Sequence, residues 1–168
     1  MILYHQSRDS FHCCFRIACI LSDSKIHRME FDKVRILDFY SVFPHFGVKF
    51  KFPKHLRHAR KAFQQAPEQY ERISSPTRVF SSMSDIQLQS VRSMIGIGLI
   101  SSEPFTSGGI VTATDKATNI FKKLSEENSE KKTPWFQAIV QDLTMVELLG
   151  EDGLKARSGL MEHHYDIS

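Results

Sequence analysis

The stretch from Arg35 to Pro44 constrains the fold more than any other part of the chain. On a helix its large side chains recur at i, i+3, i+4 and i+7, as Ile36, Phe39, Tyr40 and Phe43. Leu37 widens the same apolar face, Asp32 is placed to cap the helix, and Pro44 disfavours its continuation. So many aromatic and aliphatic side chains on one short element predict the central helix of the core.

Helical spacing of apolar residues recurs along the rest of the chain, and most of these segments follow a capping residue or a proline. The segments are 11–21 after Ser7 or Ser10, 54–63 after Pro53, 76–82 after Ser75, 84–97 with a capping box of Ser84 and Gln87, 117–124 after Thr114, and 134–149 between Thr133 and Gly150. From Glu151 onward the periodicity fades, and we expect a tail that is ordered only by a partner. The pattern predicts a mainly α protein.

The region around residue 100 suggests a winged helix. A predicted helix leads into Gly98-Leu99-Ile100, the turn-rich segment 101–109, a short strand at 110–113 and another helix. This order resembles the second half of a winged-helix domain, in which a two-stranded wing joins a three-helix core. We therefore predict a helical part at 1–66, a winged-helix-like part at 67–128, and a linker, C-terminal helix and tail at 129–168.

Composition describes an ordinary globular protein, with 41% apolar and 24% charged residues and a net charge of +3. No apolar run approaches the roughly 20 residues that cross a bilayer, and the N-terminus lacks the pattern of a secretory signal. The three cysteines crowd into one predicted helix, which does not look like a disulfide framework. We expect a cytoplasmic protein with no membrane partner.

The cysteines and histidines offer candidate sites that the spacing does not favour. His12, Cys13, Cys14 and Cys19 lack the second ligand pair of a structural zinc site, and neighbouring residues of a helix do not face each other as nucleophile and base. Buried free cysteines are common in cores, and the pair His163-His164 stands near a terminus. A Walker A sequence is also missing from the chain. We expect no catalytic residue, metal site or cofactor, and no enzyme activity.

A basic segment in the first third of the chain is the candidate contact for a DNA backbone. Its cations are Lys49, Lys51, Lys54, Arg57, Arg60 and Lys61. They would contact phosphates without reading sequence, although a solvated helix face explains the same pattern. A recognition helix at 85–97 would carry only Arg92 as a cation, which makes it a poor groove reader.

Two blocks of sequence carry a resemblance to a known family. Residues Tyr4–Arg16 and Arg35–Pro44, the latter with an Arg-Ile-Leu lead before Asp-Phe-Tyr and Phe-Pro, resemble the middle components of three-component ABC systems, which include the Lamassu-type anti-phage operons. The similarity runs to about Leu124. It implies a non-catalytic accessory subunit that links an SMC/Rad50-like ATPase to an effector, often a nuclease, and couples DNA sensing to release of that effector.

On this interpretation, two parts of the chain dock the partners. The N-terminal arm with Tyr4 and the aromatic connector 46–52 form one part, and the terminal helix 134–149 forms the other. The residues expected to be exposed for this purpose are Phe46, Phe50, Phe52 and Trp135, and those expected to bind are these together with Tyr4, Phe136 and Ile139. The alternative function is a winged-helix transcription regulator that binds DNA by itself.

Overall fold

The computed structural model describes residues 6–68 and 75–162, which fold mainly into helices around one small sheet. The helices are α1 (Ser10–Asp23), α2 (Phe31–Val42), α3 (Arg57–Gln64), α4 (Pro76–Ser82), α5 (Ser84–Gly96), α6 (Ser102–Gly108), α7 (Asp115–Glu126), α8 (Pro134–Gln141) and α9 (Leu154–Ser158). The strands are β1 (Arg28–Glu30) and β2 (Ile110–Thr112). Short 3₁₀ turns lie at Gln6–Arg8, Pro44–Lys49, Lys54–Leu56 and Leu143–Met145. The predicted fold class is confirmed.

Helix α2 is the centre of the core, as its sequence predicts. It is buried on nearly all sides, and α1, α8 and α9 pack around it. Its aromatic rings contact each other and the segments on either side, with Phe39 and Tyr40 edge to face at 5.4 Å between centroids. Asp32 is not the cap that the sequence suggests, because it lies in the first turn of the helix and pairs with Arg35 and Lys155.

The start of α1 differs from the prediction. Asp9 caps the helix by accepting a hydrogen bond from the His12 backbone N–H at 3.0 Å, so neither Ser7 nor Ser10 is the cap. Phe11, the first residue of the predicted apolar stripe, is 74% exposed, while Cys13 and Ile17 face the core. The buried face of α1 differs from the predicted stripe because α5 and α7 both pack on this helix. Together they bury a wider part of its surface than a single stripe of residues.

Tertiary hydrogen bonds also replace the predicted capping box of α5. The structure starts the helix at Ser84, with Met83 before it and no side-chain cap. The Gln87 amide donates instead to Asp38 Oδ2 at 2.8 Å and to the Arg35 carbonyl at 3.2 Å. Gln87 is fully buried and joins α5 to α2.

The sheet is antiparallel and long-range. The strand predicted at 110–113 exists, but its main partner is β1, in the register Arg28–Thr112, Met29–Val111 and Glu30–Ile110. The expected hairpin partner contributes only an isolated bridge between Ile100 and Ala113. The turn-rich segment between them contains helix α6, which ends at Gly109 in the left-handed conformation.

The C-terminal third is packed more tightly than predicted. Helix α8 starts at Pro134 with Thr133 as its cap, but it ends at Gln141 rather than near Gly150. The predicted tail forms α9, and Leu154 and Leu160 are buried, so its described part, residues 151–162, is ordered without a partner. The hydrophobic core draws residues from all three predicted segments. The three-part division itself stays a prediction. Within residues 6–68 and 75–162, no helix is long and apolar enough to cross a membrane.

Candidate functional site: a basic groove

The connector after α2 folds inward, which explains the burial of its aromatic residues. Pro44 opens a 3₁₀ turn, and the turn brings Phe46 against Phe39 at 5.9 Å and Phe50 edge-on to Tyr40 at 5.9 Å. Gly47 touches the Phe63 ring of α3 so closely that a Cβ at this position would overlap it. The connector is therefore held against both α2 and α3.

An open groove with a volume of about 910 Å³ lies between the connector and α3. Its apolar lining residues, which we call the floor, are Val48, Phe50 and Phe52. Its polar lining consists of Lys49, Lys51, Arg57, Arg60, Lys61 and Gln64. The structure thus brings together all the predicted DNA-backbone cations except Lys54, which lies outside the lining.

The groove cations are not neutralised by the rest of the protein. All five are exposed, and none forms an ion pair with a carboxylate in the part of the chain that the structure describes. Some cations elsewhere are paired, such as Lys155 with Asp32 at 2.9 Å and Lys131 with Asp23 at 3.8 Å. None of the described lining residues is acidic. The groove is therefore a concentrated positive field in a chain whose net charge is only +3.

Helix α9 holds one wall of the groove in place. The Lys51 backbone N–H donates to the Arg157 carbonyl at 3.1 Å, and Arg157 Nη1 donates back to the Lys51 carbonyl at 2.6 Å. The Arg157 guanidinium is itself oriented by Asp152, at 2.6 Å from Nη2 to Oδ1. This contact joins residues that are distant in sequence, and it fixes the backbone of the connector. No local sequence pattern predicts it.

The structure shows how far the residues predicted to bind partners are exposed, while the binding itself stays a prediction. Phe46 and Phe50 are 8% and 3% exposed, so the expectation that these two aromatics are exposed is wrong. Phe136 and Ile139 are 3% and 0% exposed. All four are buried because α2 and α3 pack on both segments. Phe52 and Trp135 are half-buried, and Tyr4 lies outside the described residues. Among the residues that the structure describes, the exposed large apolar side chains are Phe11, Ile97, Ile120, Met145 and Leu149.

A second polar cluster is enclosed between α1, α2 and α5. Asp38 is fully buried and accepts hydrogen bonds from Arg16 Nε at 2.5 Å, Arg16 Nη2 at 3.2 Å and the Gln87 amide. Burial, and secondarily the Asp38 charge, raises the pKa of the Cys13 thiol to about 12. The Cys13 side chain is thus a protonated thiol near neutral pH, unlike a nucleophilic cysteine.

The remaining cysteines and the histidines do not assemble into a centre. Burial raises the pKa of the Cys19 thiol to about 12 as well. The Cys14 thiol contacts the Ser90 carbonyl at 3.7 Å. In the described ranges, no group of three or more His, Cys, Asp or Glu side chains is arranged to hold a metal ion. The pair His163-His164 falls outside those ranges.

Comparison with models of protein families gives a match over nearly the whole chain. A family model described as "ABC-three component (ABC-3C) system Middle Component 5" matches residues 2–166. No curated protein and no solved structure matches the chain. The match extends well past Leu124, so it includes the linker, α8 and α9, which the sequence resemblance had left out.

Proposed function

Since the chain belongs to the Middle Component 5 family of ABC-three component systems, we propose that it is a non-catalytic accessory subunit of a cytoplasmic, Lamassu-type anti-phage complex. In this proposal it binds an SMC/Rad50-like ATPase and an effector subunit of nuclease type. It restrains the effector until the ATPase senses foreign or damaged DNA.

The non-catalytic role is supported by the surroundings of the side chains that could otherwise act as nucleophiles or bases. Asp38 is engaged by Arg16 and Gln87 in the core, and the Cys13 and Cys19 thiols have raised pKa values. The groove, in contrast, is lined by cations and apolar groups, which bind ligands but do not form a nucleophile–base pair. This arrangement favours binding over chemistry.

Exposed apolar residues supply the proposed docking surfaces. Met145 and Leu149 are 55% and 67% exposed and follow α8, within the segment predicted to lie across a partner. Phe11 is 74% exposed on the first turn of α1, next to the N-terminal arm. Phe and Met are among the residue types enriched at protein interfaces, which makes these positions the ones to test.

Co-purification tests these surfaces. The chain is coexpressed with the tagged ATPase and the effector of its own system, and Met145→Asp with Leu149→Asp is compared with Phe11→Asp. We expect each variant to lose at least one partner while the isolated chain keeps its helical circular dichroism, because the replaced side chains are exposed. Phe136 and Ile139 are not suitable targets, since an aspartate at either buried position would unfold the domain.

The control is Ile97→Asp, which changes a residue that is 61% exposed directly after α5 and belongs to neither proposed surface. It should leave the complex intact. If the docking variants retained both partners under the same wash conditions, the proposed surfaces would be wrong. If the unmodified chain bound neither partner, the accessory role would be wrong.

A winged-helix regulator remains the second candidate, because the order of the strands favours it. β1 follows α1, α5 leads to Ile100, and β2 lies between β1 and Ile100 in the sheet. We interpret this as a winged helix with residues 44–82 inserted between its second and third helices. The exposed face of α5 carries only Arg92 as a cation, which argues against groove reading. Sequence-specific binding of operator DNA that Arg92→Gln abolishes would favour the regulator.

A further inference from the structure

We propose that the basic groove binds one strand of a nucleic acid, without regard to its sequence. The strand's phosphates contact the cations of the two walls, and its bases lie on the apolar floor. This inference does not depend on the accessory role, because it concerns the isolated chain and a different surface.

The arrangement of charge fits a chain of phosphates. Arg57, Arg60, Lys61 and Gln64 are spaced i, i+3, i+4 and i+7 on α3, so they form one face about 10 Å long. Lys49 and Lys51 stand on the facing connector. Cations on both sides of a groove can contact the phosphates of a strand that passes between them. A single row of cations on a flat surface contacts the strand from one side only.

The floor distinguishes a single strand from a duplex. Phe52 is half-buried, lines the groove and packs against Phe50 at 4.8 Å between ring centroids, so its orientation is fixed. Unpaired bases stack on such rings regardless of their identity. In a duplex the bases are already stacked with each other, and the apolar floor would face the sugar–phosphate surface.

The backbone of the connector argues against an extended acidic peptide. Such a peptide needs partners for its own amides, which a free strand edge usually supplies. Here the Lys51 amide and carbonyl are both used by Arg157, and the Phe50 and Phe52 amides donate within the connector. Gln64 is the remaining neutral polar side chain among the described lining residues. A nucleic-acid strand has no such requirement.

Fluorescence anisotropy with a labelled oligothymidylate and the full chain tests the proposal. If all five cations contact phosphates, a plot of the logarithm of the association constant against the logarithm of the salt concentration should have a slope of about −3.5. The affinity should then fall by about a hundredfold between about 50 and 200 mM salt. Arg60→Gln with Lys61→Gln should reduce that loss to about twentyfold and weaken binding at low salt. Phe52→Leu should weaken the single strand by about fivefold or more while polyglutamate binding is unchanged.

The matched control is Lys122→Gln with Lys123→Gln, which removes the same charge from exposed positions of α7. This variant should bind the strand almost as tightly as the unmodified chain, and circular dichroism verifies the fold of every variant. Three outcomes would overturn the proposal: no binding at low salt, an equal loss in the control, or a duplex or polyglutamate bound as tightly as the strand. If polyglutamate were bound as tightly as the strand, an acidic partner segment would replace the nucleic acid as the occupant. Because the ATPase and effector are absent, failure here leaves the co-purification result untouched.

Discussion

Replacing Asp38 by alanine should destabilise the protein more than any change at its surface. The Asp38 carboxylate has no exposed surface, and Arg16, its ion-pair partner, has a side chain only 11% exposed. The substitution removes the buried ion-pair partner of the guanidinium and also the acceptor of the Gln87 amide. Breaking a buried pair from one side costs about 3–5 kcal/mol.

The assay is equilibrium urea denaturation followed by circular dichroism, with the slope of the transition compared between variants. For a chain of this size, the same change should lower Tm by about 10 °C. Asp32→Ala is the control, because Asp32 pairs with Arg35 and Lys155 at a site that is 30% exposed. It should cost less than about 1 kcal/mol.

A double variant separates lost pairing from lost packing. Asp38→Leu with Arg16→Met removes both charges together, so it should recover much of the stability that either single change loses. The reasoning would be refuted if Asp38→Ala cost no more than Asp32→Ala. It would also be refuted if the double variant were as unstable as the sum of its two single changes.

Two glycines should respond in opposite ways to the same added methyl group. Gly47→Ala should lower the free energy of unfolding by about 1–3 kcal/mol, because its Cβ overlaps a buried ring. Gly96→Ala should raise it by up to about 1 kcal/mol, because its Cβ would meet open space at the end of a helix. Urea denaturation of the two variants measures this difference, and equal effects would contradict the close packing at residue 47. Thiol titration is a further test: a disulfide reagent at pH 8 should modify only Cys14 in the native protein, and Cys13 and Cys19 should react after unfolding, since burial raises their pKa values to about 12. Rapid labelling of all three in native buffer would contradict the burial of α1.

Features set by neighbouring residues were predictable from the sequence. The caps Ser75, Thr114 and Thr133 each accept a hydrogen bond from the backbone N–H three residues later, as their positions suggest. Helix α2 was also predictable, because the large side chains of Ile36, Phe39 and Tyr40 recur at helical spacing and form a face that has to be buried. The grouping of the groove cations followed in part from the helical spacing of Arg57, Arg60 and Lys61.

Features that depend on distant contacts were not predictable. The strand β1 is only three residues long and pairs with a segment about 80 residues later, so it has no local alternation to detect. Phe46 and Phe50 were predicted to be interface residues, because the sequence of a short aromatic connector does not indicate whether its side chains face the core or solvent. The spacing of Ser84 and Gln87 predicts a capping box, but in the structure the Gln87 amide donates to the buried Asp38 carboxylate instead.

The bond between Lys51 and Arg157 bears on how the protein is made. The ribosome delivers the chain from its N-terminus, and early segments begin to fold before later ones emerge. One wall of the groove, however, is secured by Arg157, which lies 106 residues after Lys51 in the sequence. A nascent chain therefore contains all of α2 and α3 before Arg157 has been synthesised, and the Lys51 backbone is fixed only once α9 has formed.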